Sequence, residues 1–160
     1  MRVYIIRHAK AHRDSESGRD EDRELKNKGF NQSKALAQHL ALCDQPPAMV
    51  IASPYTRAQQ TARPIWEILD QQPQTDDRLA AHRSVADALD VLVDTSGAQC
   101  VAIIAHNPTV SRVVDLLIHG PSAPGMTMLR TGELIALDID PNEMLGSAEL
   151  ADQFRMGSSA

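Results

Sequence analysis

Residues 1–8 read MRVYIIRH and residues 100–106 read CVAIIAH: in each, a short apolar run rich in β-branched residues delivers a histidine. Runs of this kind read as buried strands, so Arg7-His8 and His106 emerge at strand carboxyl ends. The 100–105 run is apolar almost throughout, as expected of a central strand covered on both faces. A third run, Met49–Ala52, leads through the Ser53-Pro54 turn to Arg57. In open α/β sheets the carboxyl edge of the strands is where ligands bind, so all three deliveries converge on one place.

Outward from these runs, His12–Glu24 is dense in charge and carries Gly18, which reads as a surface loop rimming that edge. A helix is expected from about Lys28 to Leu42, apolar at Ala35, Leu36, Leu40 and Ala41, and closed off by Pro46-Pro47. A second spans about Tyr55 to Leu69, kinked or divided by Pro64, and a third Ser84 to Val93. A fourth opens at Asn107-Pro108 and runs to about Ile118, with the proline near the first turn, where a missing N–H costs little. Glu133–Ile139 reads as a strand, Glu149–Met156 as its partner at a sheet edge, and 157–160 as a frayed tail. This alternation predicts a single α/β domain over residues 1–156, a three-layer α/β/α sandwich with a mainly parallel central sheet.

Composition narrows the function. A chain of 160 residues buries roughly two thirds of its unfolded surface and needs no staples. Net charge −5 argues against nucleic acid and anionic membranes as partners, so phosphate chemistry must rely on a local basic pocket. Cys43 and Cys100 are far apart beside apolar residues, which fits reduced, mostly buried thiols. No signal pattern opens the chain and no run approaches the ~20 apolar residues of a membrane span, so the expectation is a cytoplasmic protein.

Two arginines and two histidines at one sheet edge suit phosphoryl chemistry. Arg7 and Arg57 present planar, permanently charged forks that meet phosphate oxygens in pairs. His8, neutral near pH 7 with its second ring nitrogen held by a carbonyl, can attack phosphorus. His106 can donate N–H to the equatorial oxygens and, as imidazolium, offset developing charge, with the N-terminus of the helix after Asn107 beside it. Ser53 and Thr131 carry hydroxyls that suit phosphate, a cap or a strand edge equally. Zinc held by His8 and His106 lacks a Cys or carboxylate at ligand spacing, so no metal or cofactor is expected. His12, His39, His82 and His119 show no partner pattern, and Glu133 reads as a surface strand residue.

The stretches IIRHAKA (5–11), ASPYTRAQQTA (52–62) and IIAHNP (103–108), with RELKNKG (23–29) between the first two, resemble the motifs of the histidine phosphatase superfamily, which includes the cofactor-dependent phosphoglycerate mutases. The small size and the RHAKA start resemble its SixA-type phosphohistidine phosphatases. The resemblance implies a phosphoglycerate mutase-like fold, His8 as the phosphorylated nucleophile, and Arg7, Arg57 and His106 lining the phosphate pocket, with Ser53, Asn107 and Thr131 as substrate-binding candidates. Two positions depart from the family pattern. Ala9 stands where a glycine usually follows Arg-His, tolerable where φ stays negative. Asp77-Arg78-Leu79 is followed by Ala80, Ala81 and His82, where many members carry a glutamate acid.

That missing acid bears on substrate. An alkoxide leaving group gains ~10²–10⁴-fold from a general acid, whereas the imidazole of phosphohistidine is readily protonated near pH 7. The expectation is therefore a metal-independent phosphatase acting on a phosphohistidine-bearing protein of phosphorelay or phosphotransfer type, unless Asp14, Glu16 or His82 substitutes. A phosphatase or mutase of small phosphate esters and a non-catalytic phosphate-binding module are the alternatives.

Overall fold

The computed structural model describes residues 1–70 and 72–157. In chain order the elements are β1 (Arg2–Arg7), α1 (Asn27–Leu42), β2 (Met49–Ala52), α2 (Thr56–Leu69), β3 (Gln74–Thr75), α3 (Val85–Asp94), β4 (Cys100–Ala105), α4 (Thr109–His119), β5 (Glu133–Asp138) and β6 (Glu149–Arg155). Short 3₁₀ turns occupy Asp20–Asp22 and Asp77–Leu79. The strands form one sheet in the order β3-β2-β4-β1-β5-β6. The first four of these run parallel, and β5 and β6 add an antiparallel edge.

Side-chain alternation along each central strand sorts the core into two layers. Val3 and Ile5 of β1, with Val101, Ile103 and Ala105 of β4, face α3 and α4 through Val91, Leu92, Val110, Val113 and Leu117. Tyr4 and Ile6, with Ala102 and Ile104, face α1 and α2 through Leu36, Leu40, Ala58, Ala62 and Ile65. All six residues of β4 are buried, as a central strand requires. The expected α/β/α sandwich is thus the fold, and among the described residues no helix is long and apolar enough to cross a membrane.

Local chemistry sets the element ends. Ser84 and Asp87 form a reciprocal capping box that starts α3. Pro64 is carried within α2 without dividing it, although it withdraws one N–H from the helical ladder. One element is new and two expectations change. β3, only two exposed residues long, carries no apolar signal. Glu133 is buried rather than on the surface, because its carboxylate accepts from the Arg130 N–H at 2.6 Å and from Gln153 Nε2 at 2.8 Å. Cys43 is half-buried, while Cys100 is buried. Of the expected tail, only Gly157 lies within the described residues.

Gly29, in the first turn of α1, lets the helix close on the loop that follows β1: a Cβ there would overlap the Lys10 carbonyl oxygen. Because that neighbour is backbone, it cannot swing aside. Gly29→Ala is expected to lower unfolding free energy by about 1–3 kcal/mol despite the higher helix propensity of alanine, measured by urea denaturation. An unchanged or raised midpoint would show that the helix and loop are not packed this closely.

Candidate active site

The parallel pairing carries past the strand ends. His8 N–H donates to the Ala105 carbonyl at 3.0 Å and Ser53 N–H to the Ile104 carbonyl at 2.9 Å, so His8, Ser53 and His106 leave the sheet side by side. Their neighbours then fix the loops. Ala9 N–H donates to Thr61 Oγ1 of α2 at 3.0 Å, and Lys10 N–H to Gln32 Oε1 of α1 at 2.9 Å. Among described non-glycine residues only Asp70 has positive φ, so Ala9 takes the family's glycine position without strain.

His8, Arg57, His106 and Ser53 are buried together. The His8 and His106 rings stand 5.0 Å apart, and Tyr55 meets His106 edge-on at 5.0 Å. His8 Nδ1 lies 2.8 Å from the Ala9 carbonyl, which can only accept, so Nδ1 carries the hydrogen and Nε2 keeps its lone pair. Arg57 Nε donates to that Nε2 at 3.3 Å. Arg7 reaches the Leu129 carbonyl through Nη1 at 2.8 Å. Two buried nitrogens in this cup, Arg7 Nε and His106 Nδ1, have no protein partner among the described residues. Both can serve an anionic oxygen.

Burial, aided by the charges of Arg57 and Arg7 and resisted by the bond to Ala9, pushes His8 down to about 4. Burial pushes His106 far below the ordinary histidine range, with His8 and Arg57 adding to the effect. The expectation of an imidazolium at His106 is therefore corrected: it is a neutral imidazole, its Nε2 2.7 Å from Ser53 Oγ. Burial also lowers Arg7 and Arg57, which keep their charge, and Asp20 partly restores Arg57.

Asp20 is the residue that sequence reasoning missed. Its backbone carbonyl accepts from Arg57 Nη1 at 2.7 Å and its carboxylate from Nη2 at 3.1 Å, so a loop residue clamps the buried guanidinium. Burial alone would raise the Asp20 carboxyl, but hydrogen bonds from Arg23 and Arg57 hold it below the usual carboxylate value. Nothing in a charged loop without periodicity marks one aspartate among several.

Of the substrate-binding candidates, Ser53 lies in the cup, buried with its Oγ 2.7 Å from His106 Nε2. Asn107 is occupied as scaffold: its Nδ2 donates to the Leu129 carbonyl at 2.8 Å and its Oδ1 accepts from Ser111 Oγ at 2.6 Å. Thr131 contributes its carbonyl to Gln32 Nε2 at 3.0 Å, which again fixes a loop. Asp14 and Glu16 line a separate loop cavity with His12, Ser15, Ser17, Asp22 and Glu24. His82, by contrast, sets Nδ1 3.3 Å from the Tyr55 hydroxyl, and with Glu21, Pro54 and Tyr55 lines a cavity of about 480 Å³ next to the cup.

The family model of the histidine phosphatase superfamily (branch 1) matches residues 3–83. No curated protein matches significantly. Among solved structures, the protein histidine phosphatase SixA complexed with tungstate is 25% identical, with a TM-score of 0.82 over 97% of each chain. A mycobacterial glucosyl-3-phosphoglycerate phosphatase is 16% identical, with a TM-score of 0.74 over 94% of this chain and 96% of its own. The alpha-ribazole phosphatase of Shigella flexneri is 17% identical, with a TM-score of 0.71 over 94% and 95%. The last two share the fold alone.

The low His8 value makes stability depend on pH. Unfolded His8 takes up a proton below its ordinary 6.5, while folded His8 refuses one until about 4. The unfolded state thus binds more protons in that window, and stability falls as pH falls through it. The unfolding free energy of wild type minus that of His8→Asn is expected to be level above pH 6.5 and to decline from there towards pH 4. A difference that stays level would mean that His8 is not held neutral.

Proposed function

The chain belongs to the histidine phosphatase superfamily, and from that premise we propose that it removes phosphate from phosphohistidine on a partner protein through a phosphorylated His8. The observation that carries this reading is the state of His8: hydrogen on Nδ1, lone pair on Nε2, and a value pushed down to about 4. Such a nucleophile is ready without a separate base. Tungstate in the SixA structure is a tetrahedral oxyanion like phosphate, which fits a pocket of this type.

In this reading His8 Nε2 attacks phosphorus in line, the P–N bond to the substrate imidazole breaks, and its electron pair stays on that nitrogen, which takes a proton from solvent. Water then attacks phosphorus, the bond to Nε2 breaks, and inorganic phosphate leaves. Arg7, Arg57 and the His106 Nδ1–H hold the equatorial oxygens, with Ser53 donating its hydroxyl to His106 Nε2. No metal is needed, because the cationic charge comes from the two guanidinium groups. Asn107 and Thr131 act as positioning residues for the loops around the cup.

Substrate class follows from the leaving group. The chain places alanines where many relatives carry the acid, and the carboxylate lining the cavity beside Tyr55, Glu21, belongs to the rim. Imidazole leaves without such an acid, whereas an alkoxide does not leave readily.

Three variants test the reading. His8→Ala is expected to lose at least ~10³-fold in phosphohistidine-protein hydrolysis and to trap no ³²P, while wild type is unaffected by chelators. Full activity in that variant would refute the nucleophile, and phosphate binding by wild type with neither ³²P trapping nor turnover of any substrate would point to a binding module. Glu21→Gln is expected to leave phosphohistidine turnover within a few-fold of wild type. Faster turnover of sugar or aryl phosphates than of phosphohistidine proteins, with a ~10²-fold loss for those esters in Glu21→Gln, would assign the protein to small esters with Glu21 as acid. Asp20→Asn, which weakens the clamp on Arg57, is expected to lower kcat/KM about tenfold in steady-state assays.

A further inference from the structure

Remote from the cup, three side chains of metal-binding type meet at the other end of α1. His39 and Cys43 are four residues apart at the helix C-terminus and so project from one face, and Asp152 reaches them from β6. One ligand atom from each lies within 4.8 Å of the others, and all three residues are half-buried. His39 Nε2 stands 2.5 Å from Asp152 Oδ2, its ring is stacked on Phe154 at 4.1 Å, and Cys43 Sγ reaches the His39 carbonyl at 3.3 Å. The expectation that His39 lacks a partner is thereby corrected. Its partner comes from a strand 113 positions away, beyond any local pattern.

Two features go beyond an ordinary ion pair. The group opens into a cavity of about 470 Å³ that Asp44, Asp138 and Arg2 also line, so carboxylates outnumber cations around it. A divalent ion is favoured there by charge. The donors are one thiol, one imidazole and one carboxylate, a borderline-soft set that suits zinc better than magnesium or calcium.

We propose that His39, Cys43 and Asp152 form a zinc site, with water completing the tetrahedron. On binding, the Cys43 thiol proton passes to water and Sγ bonds as thiolate. The hydrogen that His39 Nε2 shares with Asp152 moves by solvent to Nδ1, freeing Nε2 for the metal. Thiolate and carboxylate then balance the two charges of the ion. Arg2, lining this cavity, and Arg7, in the cup, stand at opposite ends of β1, about 17 Å apart at ~3.3 Å per residue. The ion therefore takes no part in phosphoryl transfer. It ties α1 to the edge strand β6, a structural role independent of the reading of the cup.

Titration of the reduced, chelator-treated full chain with zinc and with cobalt tests the proposal. One metal per chain is expected, with cobalt giving a thiolate-to-metal charge-transfer band. Cys43→Ser should lose that band, and Cys43→Ser, His39→Gln and Asp152→Asn should each weaken zinc at least about tenfold, while His8→Ala binds as wild type does. Absence of stoichiometric binding at millimolar metal would overturn the proposal. So would a band that survives Cys43→Ser, or zinc binding lost in His8→Ala, since the latter places the ion in the cup. Should Cys43→Ser fail to fold, ¹¹³Cd NMR of wild type decides: a shift typical of a sulfur ligand supports the site, and an all-oxygen or nitrogen shift refutes it.

Discussion

Everything at the candidate site depends on the register of the parallel strands around β4. Arg7 pairs with Ala105 and Ala52 with Ile104, so three chain segments more than 40 positions apart end at the same level. A slip of one residue in either pairing would turn each side chain to the opposite face and send His8 or Ser53 into a helix layer. The register is held because β1 and β4 bury both faces: Val3 and Ile5 fit one core and Tyr4 and Ile6 the other. Any shift would exchange these for residues of the wrong size. The aliphatic core is in this sense the positioning device for the chemistry.

Beyond the strand ends, where the ladder stops, single polar side chains replace it. Gln32 bridges two loops, accepting from Lys10 N–H and donating to the Thr131 carbonyl. Thr61 ties the loop after β1 to α2, accepting from Ala9 N–H and donating to the Arg57 carbonyl of its own helix. Both are buried, so each hydrogen bond lost would leave an unsatisfied group out of reach of water. Asn107 and Arg7 share the Leu129 carbonyl, and Ser111 ties Asn107 to the Leu129 N–H. Loops with so many shared acceptors have little freedom to move apart.

The parts legible in the sequence were those written in local periodicity. Met49–Ala52 and Cys100–Ala105 match the observed strands to the residue, because apolar runs with abrupt polar or proline flanks leave no room for another boundary. The convergence of Arg7, His8, Arg57 and His106 was legible as well, since parallel strands share a carboxyl edge. What escaped was long-range pairing. Glu133 looks like a surface residue until Arg130 N–H and Gln153 satisfy it, and Asp20 looks like one charge in a loop until Arg57 reaches it. The neutral state of His106 escaped for another reason: residue type reports ordinary acidity, whereas burial, with His8 and Arg57 beside it, pushes this imidazole well below that range.

Neutral histidines let an acidic chain hold a cationic pocket without wasting it. Two fixed positive charges in a buried cup are costly, and a further pair of imidazolium ions would repel them. The fold resolves the conflict unequally. Arg57, the more deeply buried arginine, receives a carboxylate and a carbonyl from Asp20 at its outer edge, while its Nε faces His8. The histidines answer the remaining field by staying neutral, which leaves a lone pair on His8 Nε2 facing Arg57. A phosphoryl group entering the cup would thus meet positive charge and an available electron pair together, and each exists in that form because of the other.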